Sequence, residues 1–140
     1  MTGGAQGLGY SIAERLAVLG NDVVLVDINE TKLKTSQATM ASNPDLKGKV
    51  SYIAADVTKE DAIASLVKQV IDAHGRIDIL VQAAGIVGKT GVKTHEVEAS
   101  NFDLVIAINL KGIFLMCKAV LPHMVKQKYG RIVNIASIAG

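Results

Sequence analysis

A dense run of glycines near the start of the chain is the stretch best suited to bind a charged ligand. It reads Thr2-Gly3-Gly4-Ala5-Gln6-Gly7-Leu8-Gly9 and leads into an amphipathic segment from Tyr10 to Leu19. Glycines before a helix let backbone N–H groups and the positive helix end approach a phosphate closely, because no Cβ intervenes. This spacing predicts a dinucleotide cradle formed by Thr2, Gly3, Gln6, Gly7, Leu8 and Gly9. The alternative is a glycine-rich turn that only begins a helix, since Ile12 stands where the commoner Gly-x-Gly-x-x-Gly pattern has its third glycine.

Asp27 directly follows a continuous apolar run, Val23 to Val26, which is typical of a strand buried on both faces. It lies 18 residues after Gly9, close to the spacing at which an acidic residue receives the ribose hydroxyls of an NAD-type cofactor. A carboxylate repels a 2′-phosphate, and the cradle has no Arg or Lys of its own, so we predict NAD over NADP, with Asp27 and Ile28 as cofactor contacts. The alternative is that Asp27 helps to cap the next helix, a role equally open to Asn29 and Thr31.

Two later strand ends carry acidic or small residues whose cofactor role depends on the family resemblance described below. They are Asp56 and Val57 after the predicted strand 50–55, and Ala83, Ala84 and Gly85 at the end of the predicted strand 77–83. The carboxyl ends of parallel strands meet at one edge of a sheet, which is where ligands bind in doubly wound folds. For Asp56 a simple strand-to-helix turn is the alternative, because Thr58 and Asp61 have the spacing of a capping pair.

Two polar side chains lie where chemistry on a bound substrate is expected. Asn109 falls on an apolar stripe of the longest predicted helix, about residues 101–128, where an unpaired amide costs about 1–3 kcal/mol. Ser137 follows the predicted strand Arg131 to Ile135, at the end of the strand that faces ligands. Each has a structural alternative, because buried Asn residues are mostly satisfied groups of the core and strand-end serines are mostly turn or cap residues.

The elements that position these residues alternate between helix and strand along the chain. Helical periodicity covers residues 10–19, 30–42, 63–74 and 101–128, and apolar strand patterns cover 23–26, 50–55, 77–83 and 131–135. This order predicts an α/β fold, a three-layer doubly wound parallel sheet, in one domain over residues 1–140. A cradle of this kind normally follows a buried strand, and only Met1 precedes Thr2. We therefore expect an incomplete sheet that lacks its first strand and its C-terminal part.

Composition and charge argue against several classes of function. The chain has 140 residues, of which 49% are apolar and 4% aromatic, as suits one globular α/β domain. A net charge of +2 with scattered lysines does not favour nucleic acid. Cys117 is the single cysteine and the histidines show no ligand spacing, so no metal site is predicted. No apolar run approaches the length of a membrane span and no signal-peptide pattern begins the chain, so we expect no membrane contact and a cytoplasmic location.

The longest predicted helix carries more apolar surface than one core contact needs. One stripe contains Phe102, Ile106, Asn109, Ile113, Cys117, Val120 and Met124, and a second contains Val105, Ile108, Gly112, Leu115 and Ala119. The small residues of the second stripe would admit another helix closely. We therefore predict a homo-oligomer, expected to be a homotetramer, that pairs through this helix. Pro122 removes a backbone donor and predicts a local opening of the same helix.

Taken in order, these residues resemble the short-chain dehydrogenase/reductase family of classical type. The resemblance rests on the Thr-Gly-x-x-x-Gly-x-Gly cradle, Asp27, Asp56, Ala84-Gly85, Asn109 and Ser137. It implies a Rossmann-type NAD-binding domain and reversible hydride transfer between nicotinamide C4 and the carbonyl or alcohol carbon of a small molecule. It also implies that Asp56 and Val57 contact the adenine ring and that Asn109 binds a water of the proton relay. Ser137 is then the catalytic serine, which hydrogen-bonds the reacting oxygen of the substrate.

The sequence departs from that family pattern at two places. The family's Asn-Asn-Ala-Gly segment is Gln82-Ala83-Ala84-Gly85 here, so that two side-chain amides become one. The family's acid/base pair, Tyr-x-x-x-Lys, is expected shortly after Ser137, yet no tyrosine of this chain has a lysine four positions on. We predict an NAD(H)-dependent oxidoreductase that interconverts an alcohol and a ketone or aldehyde, with no turnover from these 140 residues alone. The alternative is a truncated, inactive chain that binds nucleotide or pairs with another subunit.

Overall fold

Four parallel strands, joined in two pairs, form the sheet in this computed structural model, which describes residues 1–137. Strand β1 (Val23–Asp27) pairs with β2 (Val50–Ala54), and β3 (Ile79–Gln82) pairs with β4 (Arg131–Asn134). Thr2 forms a parallel bridge to Val26 of β1 and another to Gln82 of β3, so the spatial order is β2, β1, Thr2, β3, β4. The predicted doubly wound sheet without its first strand is confirmed, because only a bridging residue lies between the two pairs.

Helices cover both faces of this sheet and divide the core in two. On one face lie α1 (Gly7–Val18) and α2 (Glu30–Ala41), and on the other lies α3 (Glu60–His74). The first core cluster contains Ala5, Ala13, Ala17, Val23, Leu25, Leu33 and Met40. The second contains Val26, Ile63, Leu66, Val67, Leu80, Leu115, Met116, Val120 and Met124. Successive residues of a strand point to opposite faces, so strands packed on both faces are apolar throughout, as β1 is up to Asp27.

The long helix predicted near residues 101–128 is present but is interrupted near its middle. Segment α4 (Ala99–Ile106) passes into a π-helical turn (Ala107–Gly112) and then into α5 (Ile113–Lys126). The helix therefore opens well before Pro122, although the sequence predicted the opening at Pro122. The turn meets Val57 closely, because a Cβ on Gly112 would lie 3.1 Å from a methyl group of Val57 and 3.2 Å from its carbonyl oxygen.

The two apolar stripes predicted for the long helix do not each keep to one side of it. Gly112 and Leu115 of the second stripe are buried within this chain, while Phe102 of the first stripe is exposed. Pairing with another subunit through this helix stays a prediction. A π turn adds a residue to one turn of helix and so rotates every later side chain by about 100° relative to the α-helical period. A stripe drawn with an uninterrupted α-helical period therefore changes face at residues 107–112.

Counted through its π-helical turn, the long helix also corrects the expectation that no apolar stretch approaches the length of a membrane span. Ala99–Lys126 has 28 residues and a mean hydropathy of 2.0 over its most apolar window, which suffices to cross a membrane by length and composition alone. Core helices of soluble proteins meet the same two criteria. Leu115, Met116, Val120 and Met124 of this helix pack into the core against the sheet. The opposite face remains largely apolar and exposed.

Candidate dinucleotide-binding site

The glycine-rich loop is held between the two strand pairs by backbone hydrogen bonds. The N–H of Thr2 donates to the carbonyl of Val81 at 3.0 Å, and the carbonyl of Thr2 accepts from the N–H of Ala83 at 3.1 Å. On the other side, the N–H of Gly4 donates to the carbonyl of Val26 at 3.1 Å. Thr2 is 2% exposed, so it holds the start of the loop in the interior of the sheet. These bonds place the start of α1 at the carboxyl ends of β1 and β3.

Two glycines of the loop lie where a Cβ would collide with backbone. Gly3 has a φ of +66°, and a Cβ there would lie 2.6 Å from the carbonyl carbon and oxygen of Ala83. A Cβ on Gly9 would lie 2.1 Å from the carbonyl oxygen of Gly3. By contrast, Gly7, the first residue of α1, would meet nothing within 4 Å. The loop therefore folds tightly on itself while its outer side stays open, and this geometry fits the approach of a phosphate to a helix N-terminus.

A cavity of about 400 Å³ opens beside this loop and collects most of the predicted cofactor contacts. Its lining includes Gly3, Gln6, Gly7, Leu8, Gly9, Asp27, Ile28, Val57, Ala83, Ala84 and Gly85. Residues far apart in the sequence thus meet at one sheet edge, as the topology requires. The cavity is also lined by Ile86, Ile108 and Ile135, which the sequence did not single out. Their signal was their position in the sequence, since Ile86 follows Gly85, Ile108 precedes Asn109 and Ile135 ends the predicted strand.

Asp27 lies on the cavity wall and does not cap the following helix. Its Oδ1 accepts a hydrogen bond from the N–H of Asn29 at 3.1 Å. The side chain of Asn29 in turn accepts from the N–H of Lys32 at 2.9 Å and serves as the N-cap of α2. The capping alternative raised for Asp27 therefore belongs to Asn29. The carboxylate of Asp27 is held by the turn and directed to the edge of the cavity.

A cation from outside the cradle lies next to it. The ammonium group of Lys32 donates to Oε1 of Gln6 at 2.7 Å, although the two residues are 26 positions apart. The cradle itself contains no Arg or Lys, as the sequence showed, but α2 supplies a lysine from its first turn. A phosphate bound at the loop would be attracted by Lys32, and a 2′-phosphate would be repelled by Asp27.

Asp56 closes the turn between β2 and α3. Its Oδ1 accepts from both the N–H and the hydroxyl of Thr58 at 2.8 Å, and the backbone bond from Thr58 is the main reason that the pKa of Asp56 lies below its usual value. The predicted capping pair of Thr58 and Asp61 is wrong, since α3 begins after Lys59 without a side-chain cap. Asp56 is not part of the cavity lining, while its neighbours Ala55 and Val57 are. An adenine contact by Asp56 stays a prediction.

Asn109 lies in the π-helical turn and binds the segment that follows β3. Its Oδ1 accepts from the N–H of Ile86 at 3.0 Å, and its Nδ2 donates to the carbonyl of Ile86 at 2.8 Å. A Cβ on Gly85 would lie 3.4 Å from the same Oδ1. Both polar atoms of the amide thus bind the backbone of Ile86, which lines the cavity, while Asn109 itself is not part of the lining. The π-helical turn also places Ile108, the preceding residue, in the cavity wall.

Ser137 follows β4, and Gln82 is the last residue of β3. Ser137 is exposed and follows Ile135, which lines the cavity. Gln82 is 2% exposed, and its Nε2 donates to Oδ1 of Asn134 at 3.0 Å and to Sγ of Cys117 at 3.2 Å. The side-chain amide that departs from the family pattern therefore joins β3 to β4 and α5. Among residues 1–137 no cluster of metal-ligating side chains occurs.

A glycine cradle at the carboxyl edge of a doubly wound parallel sheet, with an acidic residue after the adjacent strand, defines a class of dinucleotide-binding proteins. Comparison with known families identifies the group within that class. The family model described as short chain dehydrogenase matches residues 1–140, and the chain belongs to this family.

Known relatives agree with this assignment. The chain is 40% identical over 140 residues to 2-dehydro-3-deoxy-L-rhamnonate dehydrogenase (NAD(+)) of a Sphingomonas species, covering all of this chain and 53% of that enzyme. The structure of NAD⁺-bound xylitol dehydrogenase superposes with a TM-score of 0.93 at 34% identity, over 99% of this chain and 52% of the other.

A third comparison involves the other nicotinamide cofactor. A metagenomic short-chain oxidoreductase in complex with NADP superposes with a TM-score of 0.90 at 36% identity, over 98% of this chain and 60% of that one. The chain thus spans little more than half the length of the relatives that it matches. The nicotinamide dinucleotide class of cofactor is supported, since the related proteins include complexes with both NAD⁺ and NADP.

Proposed function

We propose that the chain contributes the cofactor-binding part of an NAD(H)-dependent oxidoreductase that interconverts an alcohol and a ketone or aldehyde. The observation that carries this proposal is the cavity in which the glycine cradle, Asp27 and Ala83 to Gly85 converge. Backbone N–H groups at the start of α1 would receive the pyrophosphate, and Asp27 would receive the ribose hydroxyls. The nicotinamide supplies hydride transfer when it is bound.

The polar residues at the nicotinamide end of the cavity have distinct proposed roles. Ser137 would donate a hydrogen bond to the reacting oxygen of the substrate. Asn109 would keep the segment at Ile86 in place through its two backbone bonds, beside the proposed proton relay. Free tyrosine titrates near 10, so a tyrosine acid/base needs a lysine nearby to lower its pKa.

A second candidate function is cofactor or subunit binding without chemistry. The 140 residues contain no Tyr-x-x-x-Lys pair, since Tyr10, Tyr52 and Tyr129 are followed four positions on by Glu14, Asp56 and Val133. Under either proposal these residues do not turn over an alcohol by themselves. Measurable NAD-linked oxidation of alcohols by the purified 140-residue chain would contradict this expectation.

Calorimetric titration of the chain with NAD⁺ and NADP⁺ tests the cofactor proposal. We expect NAD⁺ to bind about tenfold more tightly, which corresponds to about 1.4 kcal/mol, because a 2′-phosphate would be placed against the carboxylate of Asp27. Asp27→Asn should reduce this preference to about threefold or less, since it keeps the shape and removes the charge. Tighter binding of NADP⁺ by the unaltered chain would refute the role given to Asp27.

Lys32 provides a matched control of opposite charge for the same titration. Lys32→Met keeps most of the apolar stem and removes the ammonium that contacts Gln6. We expect it to weaken NADP⁺ binding by more than NAD⁺ binding, because NADP⁺ carries the additional phosphate. An equal loss for both cofactors would mean that the lysine acts on their shared pyrophosphate only.

We also propose that the chain forms a homo-oligomer through the outer face of the long helix. Four large apolar side chains are exposed in one row along this face, namely Leu110 (62% exposed), Phe114 (60%), Leu121 (43%) and Val125 (71%). Their spacing of four, seven and four residues follows a helical period and suits a second helix lying alongside. The row replaces the stripe that the sequence indicated.

Sedimentation velocity tests this pairing. We expect the unaltered chain to sediment as an oligomer at micromolar concentration and Phe114→Glu to sediment as a monomer, since a charge would have to be buried at the centre of the contact. Val87→Glu is the matched control, because Val87 is 83% exposed and lies outside the helix. A monomeric unaltered chain that partitions onto lipid vesicles would instead assign the row to a membrane surface.

A further inference from the structure

Helix α2 contacts the glycine-rich loop through two side chains that lie one helical turn apart. The hydroxyl of Ser36 donates to the carbonyl of Ala5 at 2.7 Å, across 31 positions of the sequence. Lys32 lies four residues earlier on the same face of α2, and its ammonium donates to Oε1 of Gln6 at 2.7 Å. Two consecutive residues of the loop are therefore held by side chains of one helix.

The two contacts differ in their burial. Ser36 is 9% exposed and its bond to Ala5 is buried, whereas the bond between Lys32 and Gln6 is exposed to solvent. Ala5 belongs to the same core cluster as Leu33 of α2, and no other donor among residues 1–137 binds its carbonyl. A buried carbonyl without a donor is costly, and water cannot replace a buried bond as it replaces an exposed one. Ser36 therefore holds the loop more firmly than Lys32 does.

The bond from Ser36 fixes the direction of the peptide group between Ala5 and Gln6. This peptide is trans, so its carbonyl and its N–H point in opposite directions. The carbonyl is directed toward α2, and the N–H of Gln6 is therefore directed away from that helix. This N–H has no partner among residues 1–137. Gln6 is exposed and lines the cofactor cavity, whereas Ala5 is buried and does not.

We infer that Ser36 is a positioning residue for the dinucleotide, because it directs the N–H of Gln6 to the pyrophosphate. Ser36 is not part of the cavity lining, so it acts through the peptide that it holds. Without the hydroxyl, the carbonyl of Ala5 would lose its donor and the peptide would rotate toward water. The N–H of Gln6 would then lose its alignment, and hydrogen bonds weaken steeply as their angle departs from linearity. The inference rests on the proposed cofactor function.

Titration of Ser36→Ala with NAD⁺ and with adenosine tests this role. Adenosine keeps the adenine and ribose of NAD⁺ but lacks the pyrophosphate, so calorimetry with NAD⁺ and NMR titration with adenosine separate the two parts of the site. We expect Ser36→Ala to weaken NAD⁺ binding by about tenfold, which corresponds to one hydrogen bond to a charged group. Adenosine binding should weaken by less than about twofold, because adenosine has no phosphate for the loop to bind.

The effect of Ser36 should also differ from that of Lys32 in its dependence on the cofactor. Ser36→Ala should weaken NAD⁺ and NADP⁺ binding by the same factor, because both cofactors contain the pyrophosphate. Lys32→Met, by contrast, is expected to weaken NADP⁺ binding more. The two residues of α2 would thus be separated into one that orients a donor and one that supplies a charge.

Ser42→Ala is the matched control. Ser42 ends the same helix, and its hydroxyl donates to the carbonyl of Thr39 at 2.7 Å, so this bond does not reach the loop. Binding of both ligands should be unchanged in this variant. The amide proton of Gln6 gives a second measurement by NMR. NAD⁺ should shift its signal downfield in the unaltered chain and in Ser42→Ala, as a hydrogen bond to a phosphate oxygen does, but not in Ser36→Ala.

Ser36→Cys is a milder variant for the case that Ser36→Ala does not fold. A thiol has nearly the same shape as the hydroxyl and is a weaker donor, so NAD⁺ binding should weaken by about threefold. Unchanged NAD⁺ affinity in a folded Ser36 variant, or equal losses for NAD⁺ and adenosine, would overturn the positioning role and leave the cofactor site in place. Failure of the unaltered chain to bind NAD⁺ would overturn the proposed function and this role with it.

Discussion

Gly9→Ala is expected to remove measurable binding of NAD⁺ and to lower the free energy of unfolding by about 2–3 kcal/mol. The added Cβ would lie 2.1 Å from the carbonyl oxygen of Gly3 and 2.8 Å from its carbonyl carbon. Both atoms belong to the backbone, so no side-chain rotation relieves the overlap. Gly3 is itself confined against the backbone of Ala83 and Ala84, at 2.6–2.7 Å from its own would-be Cβ. The loop must therefore open, and its N–H groups lose the geometry that receives a phosphate.

Gly75→Ala is the matched control for this experiment. Gly75 has a φ of +74° at the end of α3, and a Cβ there would meet nothing within 4 Å. The substitution should cost about 1–2 kcal/mol from the left-handed backbone alone and leave NAD⁺ affinity unchanged. Calorimetric titration and urea unfolding of both variants separate the two effects. Unaltered NAD⁺ affinity in a folded Gly9→Ala variant would remove the loop from the proposed site.

Acidification is expected to destabilise the 140-residue chain by about 2–3 kcal/mol between pH 8.5 and pH 5.5. The α-amino group of Met1 is buried beside β1, where it donates to the carbonyl of Val24 at 3.0 Å, and this burial lowers its pKa from 8.0 to about 6. In this pH range the unfolded chain binds more protons at this group than the folded chain does, so stability rises with pH. The penalty is complete below about pH 6 and absent above about pH 8. Urea unfolding at a series of pH values measures it.

Removal of the charge at Met1 provides the control for the pH series. A chain acetylated at its α-amino group carries no ammonium there and should lose this component of the pH dependence. The other charged groups that line the same cavity as Met1 are common to both chains and cancel in the comparison; they are Asp22, His74, Arg76 and Asp78. Equal slopes for the acetylated and free chains, or higher stability of the free chain at pH 5.5 than at pH 8.5, would contradict the burial of this amine.

Most of the residues predicted from the sequence to bind a cofactor line one cavity, because each of their signals is local. The cradle depends on backbone freedom at Gly3 and on the absence of a Cβ at Gly9, and both follow from residue type and spacing. The helix and strand order follows from apolar periodicity, and a parallel sheet brings its strand ends to one edge. The cavity accordingly contains Asp27 and Ala83 to Gly85 as expected.

Contacts between residues that are distant in the sequence could not be predicted from such local signals. Lys32 reaches Gln6 across 26 positions, so the charge beside the cradle was missed. The two hydrogen bonds of Asn109 to Ile86 span 23 positions and depend on the π-helical turn. The spacing of apolar residues in the sequence does not indicate this turn. Adding a residue to one turn then moved the exposed apolar row from the expected stripe to Leu110 and Phe114.

The sequence by itself determined the family, the order of the elements and the position of the glycine-rich loop, because these depend on residue type, spacing and local backbone conformation. Only the tertiary structure decided which face of the long helix stays exposed, which charge stands beside the loop, and that Thr2 bridges β1 and β3. Those outcomes depend on how distant segments pack against one another. From its residue type alone, a glycine indicates only a turn. The tertiary structure shows why no other residue fits there, because a carbonyl of another segment lies where the Cβ would be.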